Sequence, residues 1–281
     1  MSMKVIKRDG VVVDFDPNRV VNSLKNSGVS DETIQKVLLN IYEKKFTILS
    51  TDKLYGLIYN YVRKYENKYS ASIYSLKNAI LRLGPDGYSF EDYIGKIFTS
   101  LGYKVKVRQV YSSLCVTHEL DVVGDDFFIE CKYHNSGGTN TGIKDVMYSH
   151  ARFLDLKNAN KKKGYNFNNF WIISNTKFSD DSIDYGEYWG INMMSWKYKG
   201  NMSLSYIIDK NWLYPITLLP SVSHRIFNIL NKNSILIITE VICKDEFDLK
   251  KMGLNDVEIK NLRLDCENLI NASKKITKEE I

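Results

Sequence analysis

The sequence predicts an α+β protein of several domains, with an α+β module first, an α/β unit with a mixed sheet next, and a helical module last. Short alternating apolar runs, typical of strands, occur near the N-terminus and around residues 118–133, while helical spacing dominates elsewhere. Gly84-Pro85-Asp86-Gly87 is the clearest turn signal in the chain, and from Pro215 onward the pattern is helical with a polar tail. We therefore expect domains at residues 1–86, 87–212 and 213–281.

Length and composition set the broad class of the protein. A chain of 281 residues with 44% hydrophobic content has room for two or three small domains with real cores. No apolar run approaches a membrane span, and the N-terminus lacks the apolar segment of a signal peptide, so we expect a soluble, cytoplasmic protein. The scattered cysteines lack zinc or redox spacing. A net charge of +6 permits a polyanionic partner without requiring one.

The first module begins with a predicted hairpin. Residues 3–15 alternate in polarity around Asp9-Gly10, a dipeptide typical of tight hairpin turns. Residues that commonly start or cap helices then precede the apolar helical stripes. The predicted helices begin at Asp16-Pro17, Ser30-Asp31, Ser50-Thr51-Asp52 and Ala71, and the last of them ends at Leu83.

The start of this hairpin, Val5-Ile-Lys-Arg-Asp-Gly10, together with the ordered helices after it, resembles the ATP-cone domain from about Met3 to Leu83. The resemblance implies ATP or dATP as an effector. Cations on a tight turn with exposed backbone N–H groups suit a triphosphate, although a charged hairpin tip without a ligand gives the same pattern. The residues that the resemblance assigns to the nucleotide are Val5, Lys7, Arg8 and Gly10, with Arg19 reaching a phosphate.

The second domain opens with a predicted helix after the Gly84-Pro85 turn. Ser89-Phe-Glu-Asp92 has the form of a capping box, with Asp in place of the usual Glu. Glu91 lies at the margin of the apolar face, where a carboxylate needs a partner. A metal site is one candidate partner, and a carboxylate favoured by the helix macrodipole is an equal alternative.

The stretch from His118 to Tyr133 is predicted to form a second hairpin, which carries acids. A two-residue turn at Asp125-Asp126 places Asp121 opposite Glu130, and Glu119 opposite Lys132. A turn shifted by one residue keeps these groups on one face, whereas a three-residue loop does not. Facing carboxylates repel unless a positive charge lies between them, as a hard divalent cation does. A solvated face with an ion pair across the strands is the alternative.

With the helix before it and the helix, strand and helix after it, this hairpin resembles the PD-(D/E)xK nuclease superfamily, most closely its Mrr-like restriction endonuclease branch. Asp121 matches the metal-binding aspartate, Glu130-Cys-Lys132 the E-x-K tripeptide, and Glu91 the acid of the first helix. Leu120 replaces the proline that names the superfamily. The resemblance implies Mg²⁺ (or Mn²⁺) held by Asp121, Glu130 and the Cys131 carbonyl, with Lys132 acting on the attacking water. It further implies DNA as substrate, 5′-phosphate products and a homo-oligomer.

The remaining elements complete this second domain. A strand is predicted from Tyr103 to Val110, a helix from about Gly142 to Lys157 and a buried strand from Phe170 to Ser174. The helix carries cations that suit a phosphate-tracking patch or an ordinary solvated face. These are Lys144, His150 and Arg152, with Lys161-Lys-Lys163 after the helix. His118 alternates to the opposite face from Asp121 and is expected to be structural.

The C-terminal module contains Met252-Gly253-Leu254 between two predicted helices, which resembles a helix-hairpin-helix element. Such an element presents helix N–H groups to a phosphate, but a helical lid or a dimerisation module fits the pattern equally well. Two alternatives to a DNA endonuclease follow from the whole chain. One is a nucleotide-responsive nucleic-acid-binding regulator with an inactive nuclease fold, and the other is an RNA-directed or structure-specific nuclease.

Overall fold

The computed structural model describes residues 3–8 and 10–278, with side chains described to residue 274. The chain divides into two units. Unit 1 combines the segment that ends at Ala79 with the segment that begins at Tyr214, and unit 2 is Ile80–Leu213. Both divisions of the chain lie near the predicted boundaries after residues 86 and 212. The first and last segments, predicted as separate domains, belong to the same unit.

A small sheet opens unit 1. Its strands are β1 (Lys4–Ile6), β2 (Val12–Asp14) and β3 (Ile48–Ser50), in the order β2-β1-β3. The first two strands are antiparallel, as the predicted hairpin requires, and β3 runs parallel to β1. Gly10 has a φ of +85°, which suits a tight turn. Asp9, the other residue of the predicted turn, lies outside the described residues.

Five helices follow within residues 17–81: α1 (Pro17–Lys25), α2 (Asp31–Glu43), α3 (Thr51–Tyr65), α4 (Lys68–Tyr74) and α5 (Leu76–Leu81). The predicted N-caps are confirmed, since the side chains of Asp16, Ser30 and Ser50 each accept a hydrogen bond from a backbone N–H of the helix they precede. The single helix predicted from Ala71 to Leu83 is wrong, because the helical backbone is divided at Ser75.

Unit 2 contains helices α6 to α9 and a main sheet. Its helices and strands in chain order are α6 (Tyr88–Ser100), β4 (Lys106–Ser112), β5 (Thr117–Val123), β6 (Phe127–Lys132), β7 (Asn140–Thr141), α7 (Ile143–Lys163), β8 (Asn169–Ser174), β9 (Lys177–Phe178), α8 (Asp180–Tyr188), β10 (Asn192–Met194) and α9 (Leu204–Asn211). A short 3₁₀ turn, Gly200–Met202, precedes the last helix.

The main sheet of unit 2 is mixed, as predicted. Its order is β10-β8-β6-β5-β4. The β4, β5 and β6 strands form an antiparallel meander, and β8 and β10 run parallel to β6. The parallel pairing of β6 with β8 follows from the crossover through α7. Phe128 in β6 packs against Phe153 of α7 and Phe170 of β8 in one aromatic core.

The predicted capping box at the start of α6 is wrong. Ser89 lies inside the helix, and Gly87 occupies the N-cap position with a φ of +87°. The side chain of Asp86 accepts a hydrogen bond from the Tyr88 backbone N–H at 3.1 Å, so an earlier acid supplies the local capping interaction.

The C-terminal segment of unit 1 is helical, as predicted: α10 (His224–Lys232), α11 (Ile238–Cys243), α12 (Glu246–Lys251) and α13 (Asp256–Lys278). Helix α13 packs against α4 of the N-terminal segment, and its buried Asp265 accepts hydrogen bonds from Lys68 at 2.9 Å and Tyr69 at 3.0 Å.

No helix among the described residues has the length and apolar character needed to cross a membrane. All four cysteines are free thiols.

Candidate functional site

The hairpin of β5 and β6 has the register predicted for a two-residue turn. Val122 pairs with Ile129 and Val123 with Phe128, and the Gly124 N–H donates to the Phe127 carbonyl at 2.9 Å. Only Asp125 and Asp126 are left in the loop. This register, extended by one pair beyond the last ladder pair, puts Asp121 across from Glu130. The two carboxylates interact electrostatically, as expected of groups on one face of the hairpin.

The regular pairing of β5 is interrupted at Asp121. On the β6 side, the Cys131 backbone N–H donates to the Asp121 carboxylate at 2.6 Å. On the β4 side, the register passes from Val107 to Gln109, and Arg108 between them has a φ of +49°, which is uncommon for a residue with a side chain. The strained position lies across the ladder from Asp121, and such strain often accompanies functional sites.

Glu130 is a buried carboxylate with two cationic partners. Lys132 lies 2.8 Å from one carboxylate oxygen, and Arg152 of α7 lies 2.5 Å from the other. A second guanidinium nitrogen of Arg152 donates to the Glu119 carbonyl in β5. Arg152 therefore holds the side chain of Glu130 and the backbone of β5 together. Lys132 therefore pairs with Glu130 and not with Glu119, which was the alternative.

The carboxyl groups of the site affect one another through charge. Burial first, and then the negative charge of Glu130, raises the pKa of Asp121 to about 7, although the Cys131 N–H and Arg152 act in the opposite direction. Burial is also the main cause that raises the pKa of the Cys131 thiol well above its usual value, so this thiol stays neutral. Asp121 is therefore an acid whose ionisation is unfavourable without a further positive charge nearby.

Glu91 has a partner that the sequence analysis did not identify. Arg108 lies 3.4 Å from Glu91 and 2.7 Å from Asp92, the next residue in α6. Burial raises the pKa of Glu91, and Arg108 opposes that rise. The charge of Glu91 contributes to the raised pKa of Asp121, so the structure brings the two acids close enough to interact electrostatically.

The donor atoms at this site are hard oxygens. Among the described residues, no group of three or more His, Cys, Asp or Glu side chains is arranged to hold a metal ion. The predicted metal ligands are two carboxylates, Asp121 and Glu130, with a backbone carbonyl at Cys131. Mg²⁺ keeps several of its waters and commonly takes one or two carboxylates together with substrate phosphates, so this donor set fits that ion.

The predicted phosphate-tracking patch on α7 is wrong for two of its members. The Arg152 side chain is only 11% exposed and bonds to Glu130. His150 is buried, stacks on Phe170 and hydrogen-bonds the Tyr185 hydroxyl at 2.9 Å, and burial lowers its pKa. Lys144 and Lys161-Lys-Lys163 are exposed. Arg152 lies three residues after the buried Ser149 and four residues before the buried Leu156, and this helical spacing was the available sequence signal.

His118, which was predicted to be structural, contacts an acid of α7. Its Nε2 lies 2.7 Å from the carboxylate of Asp155 in α7. The interaction ties β5 to α7 outside the carboxylate cluster.

The residues assigned to a nucleotide lie at different positions around the sheet of unit 1. Val5 is buried in the core, so its side chain packs inward. Lys7 is exposed, and Arg8 pairs with Asp52 at the start of α3 at 2.7 Å. Arg19 pairs with Asp16, and its side chain is 77% exposed. Arg19 lies in α1, which follows the C-terminal end of β2, and this end pairs with the N-terminal end of β1. Lys7 and Arg8 follow the C-terminal end of β1. The topology thus groups Lys7 and Arg8 with the tip at Gly10 and separates Arg19 from them.

Residues 3–78 match the ATP cone domain family. The N-terminal segment is an ATP-cone domain. The match covers the three-stranded sheet and helices α1 to α4, which agrees closely with the predicted extent from Met3 to Leu83. The match supports nucleotide binding by this segment. The assignment of Lys7, Arg8 and Gly10 to the nucleotide stays a prediction.

Comparison with curated proteins and with solved structures gives one match in each case. An uncharacterized protein from Archaeoglobus fulgidus is 28% identical over 181 residues, which cover 63% of this chain and 99% of that protein. A crystal structure of a protein of unknown function is 28% identical with a TM-score of 0.55, and the alignment covers 66% of this chain and 98% of the other. Neither description names an activity, so the function of this chain has to be argued from its own residues.

The C-terminal segment that packs with the ATP-cone does not present the phosphate site predicted for a helix-hairpin-helix element. Asn255 and Glu258 cap the start of α13 reciprocally, each backbone N–H donating to the other side chain at 3.0 and 2.9 Å. The first turn is also acidic, with Asp256 and Glu258. The Glu258 N–H already has a capping partner, and the acidic first turn repels an anion, so both features oppose phosphate binding at this position.

Proposed function

We propose that this protein is a metal-dependent nuclease that hydrolyses phosphodiester bonds in DNA and that ATP or dATP bound to the ATP-cone regulates it. The observation that carries the proposal is the cluster of Asp121, Glu130 and Lys132 at the point where the pairing of β5 is interrupted. The order of α6, β4, β5, β6, α7 and β8 around it supports the same proposal, because this is the order that the resemblance to restriction endonucleases implies.

The electrostatics of the site supports a bound divalent cation. The buried carboxylate of Glu130 and the half-buried carboxylate of Asp121 lie close enough to interact. Lys132 and Arg152 both bind Glu130, while Asp121 receives a neutral N–H. A cation held by Asp121, Glu130 and the Cys131 carbonyl offsets the charge that now raises the pKa of Asp121. When bound, it supplies a Lewis acid that activates water and stabilises negative charge on the phosphate.

The roles of the protein groups follow from their contacts. The Cys131 N–H orients the Asp121 carboxylate, and the Arg152 guanidinium holds the Glu130 carboxylate in place. Lys132 provides a mobile cation near Glu130 that can turn towards the scissile phosphate or the attacking water. In the hydrolysis, the water oxygen bonds to phosphorus, the bond to the 3′ oxygen breaks and that oxygen takes a proton, which leaves a 5′-phosphate and a 3′-hydroxyl.

The proposal is tested by cleavage of duplex DNA, single-stranded DNA and RNA in Mg²⁺. Asp121→Asn and Glu130→Gln each remove one anionic ligand with little change in volume, and we expect both to abolish cleavage. Glu119→Gln is the matched control, since it removes the same charge from an exposed position on the same strand. Wild-type rates in either site variant would exclude this site. Binding without cleavage by the wild type would favour a nucleic-acid-binding regulator, and cleavage of RNA alone would change the substrate class.

Lys132 is expected to act on the transition state rather than on the fold. Lys132→Ala should lose on the order of 100-fold in rate while still binding metal and nucleic acid. Circular dichroism and a binding assay on the same protein separate these effects. An unchanged rate at saturating Mg²⁺ would reduce Lys132 to a partner of Glu130.

The effector part of the proposal concerns the ATP-cone. The chain has no Walker-type phosphate loop, so ATP or dATP should act as an effector and not as a fuel. An effector shifts an equilibrium only through different affinities for two states, and we propose that these states are different homo-oligomers. Sedimentation and cleavage across an ATP and dATP titration test this, with Lys7→Ala and Arg8→Ala as the variants. Unchanged mass and rate at millimolar nucleotide would refute the regulation.

A further inference from the structure

Unit 2 is inserted into unit 1, and the two ends of the insertion are tied together inside unit 1. The chain leaves unit 1 after Ala79 and returns to it at Tyr214. The Thr217 hydroxyl donates to the Ala79 carbonyl at 2.7 Å, and this bond is buried. The chain thus has two connections between the units, one directly after Ala79 and one directly before Tyr214. A rearrangement of unit 1 at this point therefore acts on both connections at once.

The first connection is held by the residue that follows Lys132. The Tyr133 hydroxyl donates to the Leu81 carbonyl at 2.6 Å. Gly84 lies under the same side chain, because a Cβ at this position would be only 2.5 Å from the Tyr133 hydroxyl oxygen. Asn135 donates to the Pro85 carbonyl at 3.2 Å. The first connection is thus fastened to the chain directly after β6, which carries Glu130 and Lys132.

The second connection is held by α6. The Tyr93 hydroxyl donates to the Leu213 carbonyl at 2.6 Å, and Tyr93 is completely buried. The same helix carries Glu91 and Asp92, whose partner Arg108 occupies the strained position across from Asp121. Each connection is therefore bonded by a tyrosine hydroxyl. Tyr133 directly follows Lys132 in the chain, and Tyr93 lies two residues after Glu91.

We propose that Tyr133 and Tyr93 couple the nucleotide state of unit 1 to the candidate site of unit 2. This inference rests on the proposed nucleotide regulation. A nucleotide that changes unit 1 displaces the joined connections, and the tyrosine bonds transmit the displacement to the end of β6 and to α6. The two tyrosines are positioning residues, because their hydroxyl groups bond backbone carbonyls of the connections and would act on the site through β6 and α6. The proposal requires physical continuity and a two-state element, both of which a mutational test can measure.

The test measures hydrogen exchange of peptides that cover residues 88–95 and 128–135, with and without saturating ATP or dATP. In the wild type we expect nucleotide to change exchange at both sites, on the order of fivefold. Tyr133→Phe should reduce the response by about half or more at 128–135, and Tyr93→Phe at 88–95, with nucleotide affinity within about threefold of wild type. Tyr165→Phe is the matched control, since it removes a tyrosine hydroxyl bond to the Ser112 carbonyl that belongs to neither connection.

Responses in both variants that equal the wild type would overturn the coupling, as would a wild type whose exchange at both sites is unaffected by bound nucleotide. Tyr133 is only half-buried, so its variant serves if Tyr93→Phe fails to fold. The measurement needs no nucleic acid. A protein with intact coupling and no cleavage activity would contradict the nuclease proposal alone, and an active nuclease with unaltered responses would contradict the coupling alone.

Discussion

Asp121 is a mostly buried carboxylate that receives one N–H and faces a second carboxylate. Its pKa of about 7 lies well above that of an aspartate in an unfolded chain, which means that the folded protein holds this proton more tightly. Below the unfolded pKa of about 4, Asp121 is protonated in both the folded and the unfolded protein, so it does not lower the free energy of unfolding. As the pH rises from there to about 7, the unfolded state ionises first, so the free energy of unfolding falls.

This predicts that Asp121→Asn stabilises the metal-free protein, and more so at pH 8 than at pH 5. Removal of the charge leaves a side chain that can still accept from the Cys131 N–H. The gain at pH 8 should be on the order of a few kcal/mol, and the gain at pH 5 smaller. Thermal or denaturant unfolding in the presence of a chelator measures both values.

Glu119→Gln again serves as the control, because it removes a charge from an exposed position and should change stability little at either pH. A variant as stable as the wild type at pH 8 would show that Asp121 ionises at no cost. Loss of activity together with a gain of stability in Asp121→Asn is the pattern expected of a functional site that is strained for its chemistry.

At the scale of elements, the packing of α13 on α4 depends on one buried acid. The Asp265 side chain is 4% exposed and accepts hydrogen bonds from Lys68, Tyr69 and the Ser221 N–H. Burial opposes its ionisation, but these partners together outweigh burial and lower its pKa. The C-terminal segment is thereby fastened to the ATP-cone by a charge whose partners come from both segments.

Asp265→Asn should therefore destabilise unit 1 by about 2 kcal/mol, because hydrogen bonds to a charged acceptor become bonds to a neutral one and Lys68 loses its partner. Because the folded pKa is depressed, this stability is present above the unfolded pKa of about 4 and is lost as the pH falls through the folded pKa. Denaturant unfolding at pH 7 and pH 3 measures the difference. The exposed neighbour Glu267→Gln is the control, and equal stability of both variants at pH 7 would contradict the role of Asp265.

At the scale of the whole molecule, one unit is assembled from the two ends of the chain. The hydrogen bond between Thr217 and Ala79 keeps the end of the first segment of unit 1 close to the start of its second segment. Unit 1 also has its own sheet and its own hydrophobic core. Its native contacts therefore do not require residues 80–213 to lie between its segments.

We predict that a chain in which residues 80–213 are replaced by a flexible linker of about five glycine and serine residues folds cooperatively and binds ATP or dATP. Its nucleotide affinity should remain within about threefold of the full chain, because all the residues predicted to bind the nucleotide are retained. Calorimetry and denaturant unfolding test this. Residues 1–79 alone are the comparison, and they should be less stable because α4 then loses the face that α13 covers.

Loss of folding in the linked chain, or equal stability of residues 1–79 without the C-terminal segment, would contradict the view that both segments form one unit. The second outcome would restore the predicted division into three separate domains.

The sequence by itself determined what depends on neighbouring residues. Alternation and the short loop at Asp125-Asp126 were enough to predict that Asp121 faces Glu130, because the register of a tight hairpin is set within a dozen residues. Helix starts at Asp16, Ser30 and Ser50 were equally local. The start of α6 was not predicted correctly, since two turn signals overlap there and the glycine at residue 87 took the cap position.

Only the tertiary structure decided which distant groups became partners. Arg108 and Arg152 reach the acids from another strand and another helix, and β3 is too short for alternation to reveal it. The pairing of Lys68 with Asp265 joins residues from opposite ends of the chain, so no local pattern indicates that the C-terminal helices complete the unit of the ATP-cone. Periodicity reports which face of an element is buried, but the partner that covers this face depends on long-range packing.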